Sequence, residues 1–152
     1  MLLGLPVLGA DIRNAYLQAP SLEQHFIICG PEFGIENEGR IGLIRRALYG
    51  GKVAGCNFRH HLRDCMGHLG FTSSQADPNV WFRSLKQTTG EEYYKYVLLY
   101  VDDVLVISEC ADKVLRKEIG QHFVLHEESI GPPSNYLGEK LRKIKLENGV
   151  RA

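Results

Sequence analysis

The sequence predicts an α+β fold, an antiparallel sheet with helices packed on one face. Three observations carry this. Residues 54–69 repeat apolar side chains at three- and four-residue steps, the spacing of one helix face. Residues 94–108 (YKYVLLYVDDVLVIS) form two apolar, β-branched and aromatic halves around Asp102-Asp103, which reads as a buried hairpin with carboxylates at its turn. Short β-rich runs separated by Gly and Pro punctuation fill most of the rest.

In chain order, residues 6–15 read as a strand entering a loop, with Asp11 near its end. Residues 24–29 are a second strand, closed by Gly30-Pro31. Residues 31–40 are loop-like, and 41–49 are apolar and basic up to Gly50-Gly51. The helix then carries Ala54, Phe58, Leu62, Met66 and Leu69 on one face, with Gly70 as its stop. Pro78 introduces a strand over 79–83, and 84–92 is a polar turn before the hairpin. A second helix is expected over 111–122, from Ala111, Val114, Leu115, Ile119 and His122, followed by a short strand at 123–125. Residues 136–146 read as a last strand, and Asn148-Gly149 is a hairpin signal with three residues after it.

The 152 residues suit one domain spanning 1–152. Lys+Arg 18 balances Asp+Glu 18, so the total charge lacks the basic excess usual in nucleic-acid binders. Cys29, Cys56, Cys65 and Cys110 form no C-x-x-C pair and read as reduced thiols of an intracellular protein, cytoplasmic or nuclear. Residues 1–8 lack a basic region and are too short for a signal peptide, and no apolar run reaches membrane length, so no membrane partner is expected.

Two adjacent carboxylates between apolar strands repel each other and resist burial. A divalent cation would offset both costs, since Mg²⁺ takes oxygen from one or two carboxylates plus substrate phosphates. Neighbours on an extended chain point to opposite faces. Only one of Asp102 and Asp103 can then be a full ligand, and Asp11, which also follows a β-like run, is the natural second source. The plain alternative is a solvated Asp turn.

Residues 11–20 (DIRNAYLQAP) are similar to the first catalytic block of reverse transcriptases, and Tyr100-Val101-Asp102-Asp103 to their Y-x-D-D block. Residues 47–52 (ALYGGK) resemble the A-L-Y-G-L-K block of the Ty1/copia group. Ala76-Asp77-Pro78 and Tyr136-Leu137-Gly138 also resemble family pieces, in the family's order. The resemblance implies a polymerase palm with a ferredoxin-like core, as a fragment of a retrotransposon Pol polyprotein with fingers and thumb largely missing. It implies an RNA-directed DNA polymerase, a nucleotidyltransferase that uses two Mg²⁺ ions, or Mn²⁺ instead. These would lie about 3.5–4 Å apart between the attacking 3′-hydroxyl and the leaving pyrophosphate. Its partners would be an RNA or DNA template-primer and deoxynucleoside triphosphates.

Carried over, Asp11 and Asp102 are expected as metal ligands and Asp103 as a supporting carboxylate, all three catalytic. Tyr16 is expected beneath the incoming sugar, and Lys52 and Tyr100 near the substrate. The copia block usually continues L-K-Q-A-x-R-x-W; here Val53 stands at the glutamine, Cys56 at the arginine and Phe58 at the tryptophan. The resemblance puts that glutamine near the nucleotide and makes that arginine an anchor, and so implies that losing the amide and the guanidinium weakens nucleotide binding without touching the carboxylates. A catalytically inactive remnant with the same fold, binding nucleic acid weakly at most, is therefore the second reading. A palm-like nucleotidyl cyclase is a third, on fold analogy alone.

Two other clusters have plain readings beside functional ones. His61, Cys65 and His68 share a helix flank and suit zinc only if they converge. Lys140, Arg142, Lys143 and Lys145 suit either a nucleic-acid backbone or a solvated strand face.

Overall fold

The computed structural model describes residues 5–86, 90 and 92–142. The chain divides into two compact units, one of residues 1–13 with 64–152 and one of residues 14–63.

The first unit is built on a five-stranded sheet ordered β1-β7-β6-β5-β4. Its strands are β1 (Val7–Asp11), β4 (Thr72–Ser73), β5 (Val80–Lys86), β6 (Glu92–Tyr100) and β7 (Asp103–Ile107). All the pairings are antiparallel. The register puts Trp81, Lys95, Val97, Leu99, Val104, Val106 and Ala10 on one face, and all of them are buried. The opposite face also buries Leu105, so the central strand β7 reads as a continuous apolar run rather than an alternating one.

A helical stretch over 111–121 covers the first of these faces. It starts as α-helix (Ala111–Lys113), widens to a π turn (Val114–Glu118) and tightens to a 3₁₀ turn (Ile119–Gln121). Ala111, Val114, Leu115 and Ile119 are buried along it, as the spacing predicts, whereas His122, expected on the same face, lies just beyond the stretch and is exposed. Glu118 reaches back to the sheet and ion-pairs with Arg83 at 2.6 Å and Lys95 at 3.7 Å.

In the second unit, β2 (Pro20–Ile28) and β3 (Ile41–Arg46) form a two-stranded antiparallel ribbon. A short helix, Ala15–Gln18, precedes it. The long helix, Ala54–His68, begins in this unit and ends in the first, and Gly70 behind it adopts φ 76°, a left-handed conformation that glycine takes without a Cβ clash.

The structure differs from the sequence reading at several places. Residues 41–46 form a strand because β2 pairs with them across the 31–40 loop, although their own pattern is mixed. Residues 123–125 form no strand; only an isolated bridge joins Leu125 to Ile12. The polar turn is shorter than 84–92, because β5 runs to Lys86 and β6 starts at Glu92. The strand expected over 136–146 is broken at once. Asn135–Tyr136 and Glu139–Lys140 pair as a small hairpin around Leu137 (φ 50°) and Gly138 (φ 82°), both in the left-handed region that a two-residue turn requires. Lys143, Lys145 and Asn148-Gly149 lie outside the described residues.

Candidate active site

The candidate site lies at one end of the five-stranded sheet. Strands β6 and β7 join through a loop of two residues, Val101 and Asp102, closed by the Tyr100–Asp103 pair. Asp102 thus occupies the turn, and Asp103 is the first residue of β7. Val101 has φ 53°, which a β-branched side chain rarely adopts, so the turn carries strain of about 1–3 kcal/mol.

Strand β1 runs along the other side of β7, and its last residue, Asp11, lies directly opposite Asp103. Cross-strand partners project to the same face, so these two carboxylates are neighbours. Asp102 stays exposed, and its carbonyl accepts the Ile12 N–H at 2.8 Å, tying the turn to the end of β1. The site therefore brings Asp11 beside Asp103, with Asp102 next to it in the turn and Tyr100 across the hairpin. Of the two adjacent aspartates, Asp103 faces Asp11.

The electrostatics of this corner are one-sided. Burial pushes the Asp103 carboxyl above its ordinary value, and Asp102, Asp11 and a hydrogen bond with Asp11 push it further. Tyr136 is pushed up to about 12 by burial and by the charges of Asp103 and Asp77. Among the described residues, none of the three aspartates has a cationic partner in an ion pair. No three His, Cys, Asp or Glu side chains among the described residues converge as a ready-made metal cage. Two carboxylates facing one another still fit a hard divalent cation, which fills its remaining positions with water and phosphate oxygen.

An open cleft of about 630 Å³ adjoins the corner, lined by Tyr100, Val101, Asp102, Asp103, Leu137 and Gly138. The Leu137-Gly138 turn of the small hairpin thus borders the site. Sequence reasoning placed Tyr136-Leu137-Gly138 in a family block but gave it no role. It also passed over Ser129 and His126, which hydrogen-bond to the backbone of Asp11. Nothing in their local sequence signals that contact.

The other expected site residues belong to the second unit. Tyr16 is half-buried, with its ring 4.6 Å from that of Tyr49 and 5.8 Å from that of Phe58. Lys52 is exposed in the turn before the long helix. Cys56 is exposed 3.9 Å from His60, and Val53 is half-buried.

Residues 4–151 match the family described as reverse transcriptase (RNA-dependent DNA polymerase). The chain belongs to the reverse transcriptase family. It is also similar to the retrovirus-related Pol polyprotein from transposon RE1 of Arabidopsis thaliana, at 28% identity over 102 residues. That match covers 66% of this chain and 7% of the relative, so the chain spans a small part of the relative's length. Together with the A-L-Y-G-G-K block, these matches support a copia-type reverse transcriptase region. No helix among the described residues of this region is long and apolar enough to cross a membrane.

Proposed function

We propose that this chain is the palm of an RNA-directed DNA polymerase and that its carboxylate corner holds divalent cations for nucleotidyl transfer. The observation that carries the proposal is the register pair Asp11–Asp103, two like charges face to face with no ion-pair partner among the described residues. Bound Mg²⁺ or Mn²⁺ supplies the positive charge that activates a primer hydroxyl and steadies a leaving pyrophosphate. Asp11 and Asp103 hold that charge from opposite strands, and Asp102 adds a third carboxylate from the exposed turn. The left-handed Val101 turns the chain sharply, so that Asp102 leaves the sheet while Asp103 stays in it. Tyr100, 52% exposed beside the cleft, offers its ring and hydroxyl to substrate. On this reading the five-stranded sheet and its covering helical stretch are the ferredoxin-like core of the palm. Tyr16 and Lys52 serve the nucleotide, and a template-primer and deoxynucleoside triphosphates are the substrates.

The second reading is the same fold without turnover. Two observations favour it: Val53 and Cys56 stand in the A-L-Y-G-G-K helix start, and the three carboxylates form no closed metal cage. Mg²⁺-dependent primer extension on an RNA template separates the two. Extension by the chain that Asp102→Asn abolishes supports the polymerase. A folded chain that binds Mn²⁺ and extends nothing supports the inactive palm.

A further inference from the structure

The outer edge of β1 carries the inference. Strand β1 pairs with β7 on one side, and on the other side residues 124–131 run along it in the antiparallel sense. Gly9 exchanges both backbone hydrogen bonds with Gly131, at 2.8 and 3.1 Å. At the other end, Leu125 bridges Ile12, and the Val124 carbonyl accepts the Arg13 N–H at 2.9 Å. Between these ends the partner segment leaves the ladder, because Glu127–Ser129 form a 3₁₀ turn. The gap falls opposite Asp11.

Side-chain chemistry fills that gap. The Asp11 N–H donates to Ser129 Oγ at 2.8 Å. The Ser129 hydroxyl in turn donates to the His126 carbonyl at 2.7 Å, and the His126 N–H donates to the Asp11 carbonyl at 2.9 Å. Three hydrogen bonds thus close a ring around the backbone of one residue. A serine hydroxyl has one proton and two lone pairs. Its proton is committed to His126, so a lone pair faces Asp11. The hydroxyl replaces the backbone acceptor that a regular strand would have supplied, and a break in pairing beside a site is a common way to aim a side chain.

We propose that Ser129 is a positioning residue for the Asp11 carboxylate. It fixes the φ/ψ of Asp11 at the strand end, and so sets the distance between Asp11 and Asp103 at which a divalent cation is held. The inference rests on the reading of Asp11 as a metal-holding carboxylate. Because Asp11 is exposed, water can take over its N–H when the hydroxyl is removed, so fold stability changes little while the aim of the carboxylate is lost.

The test compares the full chain with Ser129→Ala, Ser129→Thr and Asp11→Asn. Mn²⁺ binding is read by electron paramagnetic resonance, exchange of the Asp11 amide by NMR, and folding by thermal unfolding. Supporting partners of metal ligands commonly change affinity by 10–100-fold. Ser129→Ala is expected to weaken Mn²⁺ about 10-fold, at the low end because the contact is to backbone, and to speed exchange at Asp11. Its unfolding midpoint should stay close to that of the parent, and Ser129→Thr, which keeps the hydroxyl, should restore binding. If Ser129→Ala binds Mn²⁺ as the parent does while Asp11→Asn loses it, the positioning role is wrong and the metal site stands. If the parent binds no better than Asp11→Asn, the metal reading fails and this inference with it. Should Ser129→Ala unfold, Ser129→Cys, with its weaker acceptor, takes its place and the same two results are read.

Discussion

Two strand pairs in one sheet each set like charges face to face, and the chain treats them differently. Across β5 and β6, Arg83 lies opposite Lys95; across β1 and β7, Asp11 lies opposite Asp103. Like charges in direct register destabilise a sheet. The cations receive a counter-ion from the protein, Glu118, which contacts both from the helical stretch above them. Arg83 also lies over the Phe71 ring, 4.4 Å from its centre, and donates to the Leu69 carbonyl. The aspartates receive no such partner among the described residues, and every charge acting on Asp103 raises it. A structural charge pair is thus completed from within. The incomplete pair sits at the sheet end beside an open cleft, where a cation from solution can reach it.

The largest effect expected is on the completed pair. Glu118→Gln leaves Arg83 and the buried Lys95 facing each other without an anion, and removing one partner of a buried ion pair costs about 3–5 kcal/mol. These side chains are only partly shielded apart from Lys95, so a loss of about 3 kcal/mol is expected in urea unfolding. A loss below about 1 kcal/mol would mean that Glu118 is not the counter-ion of Arg83 and Lys95.

The strained turn comes next. Val101→Gly removes the Cβ at φ 53°, and should raise stability by about 1 kcal/mol, or about 2–4 °C in the unfolding midpoint. The same variant should slacken the turn that separates Asp102 from Asp103, so any Mn²⁺ affinity should fall as stability rises. An unchanged midpoint would show that the turn holds no strain.

Asp103 gives a smaller effect with a definite sign. Its carboxyl is raised above the ordinary 3.8, so the folded chain binds more protons than the unfolded chain between that value and the raised one. Metal-free stability is therefore lost as pH rises through this window. Asp103→Asn should abolish that loss and be slightly more stable than the parent at neutral pH in EDTA.

The smallest effect concerns the cation pair again. One carboxylate faces two cations there, and the surplus acts on Cys110. Burial pushes that thiol up, but hydrogen bonds to Ser108 and Lys95 and the Lys95 charge outweigh it and hold it below its usual value. Cys65 is pushed up by burial and by Asp64. Alkylation followed by mass spectrometry should modify Cys110 several-fold faster than Cys65 at neutral pH.

The long helix was legible because its buried face recurs at three- and four-residue steps, and the hairpin and the strand before Asp11 because they are apolar, β-rich runs. Asp102-Asp103 was legible as a unit, but the role of each member was not. Which carboxylate faces Asp11 depends on a two-residue loop and a left-handed Val101, and valine gives no hint of that conformation. Strand β3 was missed because its definition comes from β2, not from its own alternation. The Leu137-Gly138 turn hid inside an apolar-basic run, since leucine is seldom found at φ 50°. Ser129 was invisible for a simpler reason: it meets Asp11 only through chain pairing more than a hundred residues apart in sequence, 118 positions by count.

On the proposed reading, the Asp11–Asp103 corner draws its counter-ion from outside the chain. Thermal unfolding of the parent and of Asp103→Asn, each in EDTA and in excess Mn²⁺, tests it most directly, because an ion that binds only the folded chain raises its midpoint by mass action. Mn²⁺ should raise the midpoint of the parent and leave Asp103→Asn where it was in EDTA. Equal shifts in both proteins, or none in either, would contradict the claim.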